Sequence, residues 1–212
     1  MAITSPAEKV RKMYEESADS YADMMDSEID LPVYANTLSR LAERVANLSG
    51  PLLDTSCGSG HMLARYREIY DRKRALVGID LSSRMVAIAR SRLGGSTEAM
   101  IGDMRDLKAI ESGRVAAVLS FFAIHHLGPE EVLLAFKEWY RVLCPAGQLV
   151  VASWEGAGPV DYGDEYDVVA LRYSKDELFT WTEAAGFAVD RCAVETVAEM
   201  PMKAVYLEGT KV

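Results

Sequence analysis

Near the start of the chain apolar residues recur three and four positions apart: Val10, Met13, Tyr14, Ala18, Tyr21, Ala22 and Met25. That spacing places them on one face of a helix. Ser5-Pro6-Ala7-Glu8 ahead of them has the form of a capping box with proline at the first helical position. The acidic stretch Asp26 to Pro32 breaks the pattern. A second helix is predicted from Val33 to Leu48, stopping at Gly50-Pro51.

After that, strand and helix patterns alternate. Pro51–Asp54 is a short apolar strand followed by a Ser/Gly turn and a helix through Tyr70. Ala75–Ile79 is a strand ending at Asp80, and Ser82 starts a helix with Met85, Ile88, Ala89 and Leu93 on one face. Glu98–Ile101 reads as a weak strand and Val115–Phe122 as a strong one. Pro129 opens a helix through Leu143, Pro145-Ala146-Gly147 ends it, and Gln148–Trp154 is the fifth strand. Such alternation implies a mainly parallel sheet covered on both faces. The tail differs. An acidic irregular stretch, Glu155 to Tyr173, leads to a second capping box, Ser174-Lys175-Asp176-Glu177, and a helix ending at Gly186. Phe187–Thr196 and Ala204–Gly209 then read as two strands able to pair as an antiparallel hairpin at the sheet edge.

Composition sets the scale. Half of the 212 residues are hydrophobic and 26% are charged, which suits one domain with a substantial core. Within it, 1–48 is a helical N-terminal segment, 51–154 an α/β core, and 155–212 an acidic loop, helix and hairpin. Nothing in the pattern sets an oligomeric state. The formal charge of −9 argues against nucleic acid as the main partner, because phosphate contacts need a basic face. The one short basic cluster, Arg72-Lys73-Arg74, reads as a solvated connection. Val115 to Ile124 is the longest apolar stretch and is too short to span a bilayer, so no membrane partner is expected. Met1 to Val10 holds no apolar run, and the three cysteines form no C-x-x-C pair, so a reduced, cytoplasmic setting is expected.

The candidate chemistry sits at strand ends, where open α/β sheets bind ligands. Leu52-Leu53-Asp54-Thr55-Ser56-Cys57-Gly58-Ser59-Gly60 is a strand running into a glycine turn and a helix. Gly58 and Gly60 would let a ligand approach the backbone. Gly78-Ile79-Asp80-Leu81 ends the next strand with an acid suited to both hydroxyls of a ribose. Gly102-Asp103-Met104 ends the one after, with Asp103 able to accept from an adenine amino group and Met104 to pack on the ring. Each acid alone is equally explained by helix capping; the combination favours a ligand site.

In these motifs the chain resembles the class I S-adenosylmethionine-dependent methyltransferases. LDTSCGSG, VGIDLSSRM and IGDMRDL are similar to their first three motifs, and SFFAIHHL and RVLCPAGQLVVASW to later ones. The resemblance runs from about Leu52 to Trp154. It implies a Rossmann-like, doubly wound α/β sheet of order 3-2-1-4-5-7-6 with an antiparallel last strand, in agreement with the hairpin. It further implies S-adenosyl-L-methionine as cofactor, S-adenosyl-L-homocysteine as product and no metal. Gly58 and Gly60 would face the cofactor's amino-acid portion, Asp80 with Leu81 its ribose, and Asp103 with Met104 its adenine. Phe121 would approach the cofactor, and Asp54 would support the turn or reach the amino group through water. The chain departs from the family at Ser56 and Ala146, where glycine is usual.

Methyl transfer from a sulfonium needs mainly alignment and exclusion of water, and a base only when the acceptor must lose a proton. His125 and His126 follow the fourth strand, on the edge where the methyl group should point. Either is a candidate base, His125 the preferred one. Glu155, after the fifth strand, is a candidate to orient such a histidine or bind a cationic acceptor. His61, past the glycine turn, more naturally contacts backbone or the cofactor edge. Tyr14 and Tyr21 lie on the apolar face of the first helix, which in the family folds over the cofactor, so they would shield the sulfonium or touch the acceptor; core packing explains them equally well. The acidic loops Asp23–Asp30 and Asp161–Asp167 would flank the entrance. A small-molecule acceptor is expected. Two rival readings stand beside this one. A nicotinamide oxidoreductase would want a third glycine where Leu63 stands. A partner protein could bind the cofactor without catalysis. Arsenic methyltransferases share the fold and cluster thiols, but nothing in the sequence brings Cys57, Cys144 and Cys192 together.

Overall fold

Strands β1 (Leu52–Asp54), β2 (Leu76–Asp80), β3 (Glu98–Ile101), β4 (Val115–Phe121), β5 (Leu143–Trp154), β6 (Phe187–Thr196) and β7 (Lys203–Lys211) form one sheet in the order β3-β2-β1-β4-β5-β7-β6. The first five are parallel, and β7 runs antiparallel to both β5 and β6. This is the Rossmann-like arrangement that the motifs implied. The computed structural model describes residues 4–95, 97–160, 167–197 and 202–212. Part of the second acidic loop, 161–166, therefore lies outside the described residues.

Helices cover both faces. Because β1 is buried on both sides, its successive residues serve two cores. Leu53, Val118, Val151 and Val205 pack with Phe136 and Trp139 of α5 (Pro129–Val142) and Leu178 of α6 (Lys175–Ala184). Leu52, Leu119 and Val150 pack with α2 (Pro32–Val45), α3 (His61–Ile69) and α4 (Ser83–Leu93) through Leu38, Tyr66 and Ala89. The Ser174 capping box forms as read, with Ser174 Oγ accepting from the Glu177 amide at 3.2 Å. No helix among the described residues is long and apolar enough to cross a membrane.

Three local readings need correction. Helix α1 (Ala7–Glu28) has no side-chain cap. Ser5 instead pairs with Val169: its amide donates to the Val169 carbonyl at 3.0 Å, and its Oγ accepts from the Val169 amide at 2.8 Å. The would-be cap thus ties the N-terminal segment to the stretch after the acidic loop. Within Arg72-Lys73-Arg74, only the first two are surface residues. The Arg74 guanidinium is largely buried and donates to the carbonyls of Val45 at 2.9 Å and Gly50 at 2.8 Å, capping the end of α2. Finally, α5 ends at Val142 and the chain passes straight into β5. Ala146 there has φ +61°, a left-handed conformation that glycine adopts without cost, which is the physical reason a glycine is usual at this position.

Candidate active site

The C-terminal ends of β1, β2, β3 and β4 share one rim, and the turn after β1 is pinned to both neighbours. The Thr55 amide donates to the Leu119 carbonyl at 3.0 Å, and the Cys57 amide to the Ile79 carbonyl at 2.9 Å. Cys57 is buried behind the turn, where a Cβ on Gly78 would stand 2.8 Å from its sulfur. Cys144 and Cys192 lie on β5 and β6, away from it. Ser56 fits where the family has glycine. Its φ is not positive, its amide donates to Asp54 Oδ1 at 3.1 Å, and its hydroxyl is 3.4 Å from that of Ser120.

Asp80 holds the turn from the next strand. Its carboxylate accepts from the Gly58 amide at 2.8 Å and the Ser82 amide at 2.9 Å. Burial raises its pKa more than these bonds lower it. Asp54 is also buried; burial and the charge of Asp80 outweigh the Ser56 hydrogen bond and push its pKa up to about 7. Asp103 goes the other way. Burial raises its pKa, but hydrogen bonds from the Arg105 side chain and amide together pull it below the usual range. The Arg105 Nε–H and amide each donate to Asp103 Oδ1 at 2.9 Å, Nη2 donates to Asp103 Oδ2 at 2.5 Å, and Nη1 meets Glu131. The sequence reading missed Arg105, although its spacing of two from Asp103 was visible.

Helix α1 crosses α4 and is fastened to it. Glu15 accepts from the Ser83 amide at 2.7 Å and the Arg84 amide at 3.1 Å, capping α4 with a carboxylate. Farther along, Asp26 accepts from Arg92 at 2.9 Å and lies 3.0 Å from His61 Nε2. His61 Nδ1 is 2.6 Å from Ser59 Oγ, so His61 joins the glycine turn to the crossing helix.

Two adjacent cavities result. The first, about 320 Å³, is lined by Gly58, Asp80, Leu81, Asp103, Met104 and His126 among others. The second, about 420 Å³, takes in Asp54, Cys57, His61, Tyr34, His125 and Trp154. Tyr14, Tyr21, Ser56, Phe121 and Phe122 line both. Gly60 lines neither cavity. With φ +83° it opens α3, and a Cβ would stand 3.2 Å from Ala89 Cα and Cβ and from Leu93 Cδ1. Its bare backbone makes room for α4. Glu155 also lines neither cavity, and its amide donates to the Lys203 carbonyl at 2.9 Å.

Phe122 was not singled out from sequence. In a continuous strand Phe121 and Phe122 would point to opposite faces. Phe122 has φ +47°, and its ring packs against Trp154 at a centroid distance of 4.6 Å. The left-handed turn brings adjacent rings to the same cavities. A non-glycine residue in this conformation carries backbone strain, which clusters at functional sites.

The two histidines sit in a short 3-10 turn, Ile124–His126, with ring centroids 4.1 Å apart and planes tilted by 51°. His126 Nε2 shares a hydrogen bond of 2.9 Å with the Tyr14 hydroxyl, and the rings meet edge to face. Burial lowers the His126 pKa to about 4, and burial with the neighbouring His126 ring holds that of His125 well below its ordinary value. Both imidazoles are therefore neutral at pH 7.

A family model for the methyltransferase domain matches residues 52–147, the segment that builds this rim. Residues 52–147 thus match a methyltransferase domain, and the sheet order is that of the class I S-adenosylmethionine-dependent methyltransferase fold. The methyl donor of that family is S-adenosylmethionine. An uncharacterised methyltransferase of Oceanobacillus iheyensis is 29% identical over 110 residues, covering 52% of this chain and 49% of that protein. A probable tRNA methyltransferase 9B of Homo sapiens is 34% identical over 104 residues, covering 49% of this chain and 21% of that protein. The chain thus spans half or less of these relatives. In fold it is similar to the 1,6-didemethyltoxoflavin-N1-methyltransferase of Burkholderia thailandensis, solved with 1,6-didemethyltoxoflavin and S-adenosylhomocysteine, at a TM-score of 0.76 and 17% identity, over 100% of this chain and 92% of that one. In the methyltransferase domain described here, the strand-end acids Asp80 and Asp103 stand in one cavity with Leu81 and Met104. Asp54 stands in the adjoining one, and both tyrosines of α1 stand between them.

Proposed function

We propose that this chain transfers the methyl group of S-adenosylmethionine to a small-molecule acceptor by in-line displacement. The observation that carries the reading is the pair of adjoining cavities with Tyr14, Tyr21, Ser56, Phe121 and Phe122 as their shared wall. Adenosine fits the first, with its ribose on Asp80 and Leu81 and its adenine beside Asp103 and Met104. The amino-acid portion passes Gly58 and Ser56 toward Asp54, and the sulfonium lies at the shared wall. The acceptor enters the second cavity. Its lone pair forms the bond to the methyl carbon, and the sulfur–carbon bond breaks with its electron pair on sulfur. S-adenosylhomocysteine leaves as a neutral thioether at sulfur, and a proton carried by the methylated atom passes to bulk solvent as the product leaves. Aromatic walls on both sides keep water from the reacting sulfonium and hold the two molecules in line, which is most of what this reaction requires.

The test is transfer of labelled methyl from S-adenosylmethionine in a mixture of small metabolites and bulk tRNA. Label in the small-molecule fraction supports the reading. Label in tRNA would overturn the acceptor class and favour the reading that the human relative's name suggests. Against tRNA stands the charge of −9.

Histidine has a smaller role here than its position alone suggests. An imidazole whose pKa has fallen to about 4 is neutral but a poor proton acceptor at pH 7. We assign His126 to positioning Tyr14 at the shared wall. His125→Ala and His126→Ala should each keep turnover within about tenfold of wild type, with His126→Ala the more affected. A loss of about 10²–10⁴-fold in either, with cofactor affinity intact, would reinstate a histidine base.

Asp54 gives a pH dependence with a definite sign. Its pKa of about 7 belongs to the ligand-free chain. A cationic cofactor beside it favours the carboxylate, so binding releases a proton and affinity rises with pH. Below pH 7 affinity should fall by up to about tenfold per unit; above pH 8 it should level off. Calorimetry in buffers of different ionisation enthalpy reads both. In Asp54→Asn the slope between pH 5.5 and 7.5 should vanish; its persistence would place the titrating group elsewhere.

A further inference from the structure

The second cavity has a composition of its own. Its rings are Tyr14, Tyr21, Tyr34, Phe121, Phe122 and Trp154. Four methionines, Met13, Met24, Met25 and Met62, complete its apolar wall. Methionine adapts its shape and makes favourable sulfur–aromatic contacts, so this wall suits a flat ring system. Its acidic side chains are Asp54 and Glu28, and no Lys or Arg stands among the described lining residues.

The field there is negative. Tyr21 is half-buried, and its phenol pKa is raised first by desolvation and then by its neighbours Tyr34, Asp80, Asp54 and Glu28. Burial also raises the pKa of Glu28 itself, a penalty that a cationic partner would relieve. A carboxylate or phosphate brought into such a cavity would lose its hydration, find no Lys or Arg among the described lining residues and meet two acids. A protonated nitrogen would find an acid and ring faces, both of which attract it.

Resting on the methyl-transfer reading above, we infer that the second cavity takes a flat aromatic acceptor that carries a basic nitrogen and no anionic group. The basic nitrogen pairs with Glu28. The atom that is methylated is a different, uncharged one, turned toward the shared wall, because a cation there would repel the sulfonium.

The test uses three two-ring probes of similar shape: 4-aminoquinoline, a cation at neutral pH; 2-naphthol, neutral; and 2-naphthoate, an anion. Each is titrated into the full chain, ligand-free and after saturation with S-adenosylhomocysteine. Aminoquinoline should bind at least about tenfold more tightly than naphthoate, with naphthol between them. Glu28→Gln should bring aminoquinoline to within about threefold of naphthol. Naphthoate binding as tightly as aminoquinoline, or no probe binding in either state, would overturn the inference. The two readings fail separately. S-adenosylhomocysteine binding with the ranking lost overturns the acceptor class alone. The ranking kept with no S-adenosylhomocysteine binding overturns the cofactor assignment of the first cavity.

Discussion

Asp80→Ala should weaken S-adenosylmethionine binding by at least about tenfold, and by more where both ribose hydroxyls are held. Two hydrogen bonds to a charged acceptor are lost, each worth about 1.5–3 kcal/mol. The same carboxylate accepts from the amides of Gly58 and Ser82. Alanine therefore also loosens the glycine turn and the start of α4, and stability should fall by about 1–3 kcal/mol. Asp80→Asn separates the two effects, since an amide oxygen can still accept from one of the amides while the charge is gone. Urea unfolding and calorimetry on both variants read stability and affinity. A folded Asp80→Ala chain with unchanged cofactor affinity would remove ribose from this acid.

Gly60→Val should have the largest effect on the fold. The residue opens α3 at φ +83°, where a β-branched side chain is strained by about 1–3 kcal/mol. Its Cβ would press on Ala89 at 3.2 Å, and overpacking a tight helix contact costs about 1–3 kcal/mol more. Set against a typical total of about 5–15 kcal/mol, this should drop the melting temperature by ten degrees or more, followed by circular dichroism. Gly60→Ala should lose less, being free of the branch. A valine variant that melts like wild type yet fails to bind cofactor would return Gly60 to the ligand's path.

These two positions mark what was legible in the sequence and what was not. The sheet order followed from strand and helix periods together with the family's motifs, and the tail hairpin from its own alternation. Asp80, Asp103 and Asp54 were legible because a strand end is a position that periodicity reveals. Gly60 was legible only as a glycine; what it makes room for, Ala89, lies on another helix that the local pattern does not connect to it. Arg74 read as a surface charge because its partners, the carbonyls of Val45 and Gly50, are backbone atoms that no sequence pattern displays. Ser5 satisfied the local rule for a cap, and a longer-range pairing with Val169 took its hydroxyl instead. Phe122 escaped because one left-handed residue reverses the parity on which strand reading depends. Tyr14 and His126 were each singled out, yet their hydrogen bond joins groups far apart in the chain and appears only once α1 is laid across the rim.

The central claim is that the rim at the ends of β1 to β4 binds S-adenosylmethionine. It is tested most directly by calorimetry of the full chain with S-adenosylhomocysteine and, separately, with NAD. The account predicts one site for S-adenosylhomocysteine, its heat much reduced in Asp80→Ala, and no heat with NAD. Binding of NAD without binding of S-adenosylhomocysteine would contradict it.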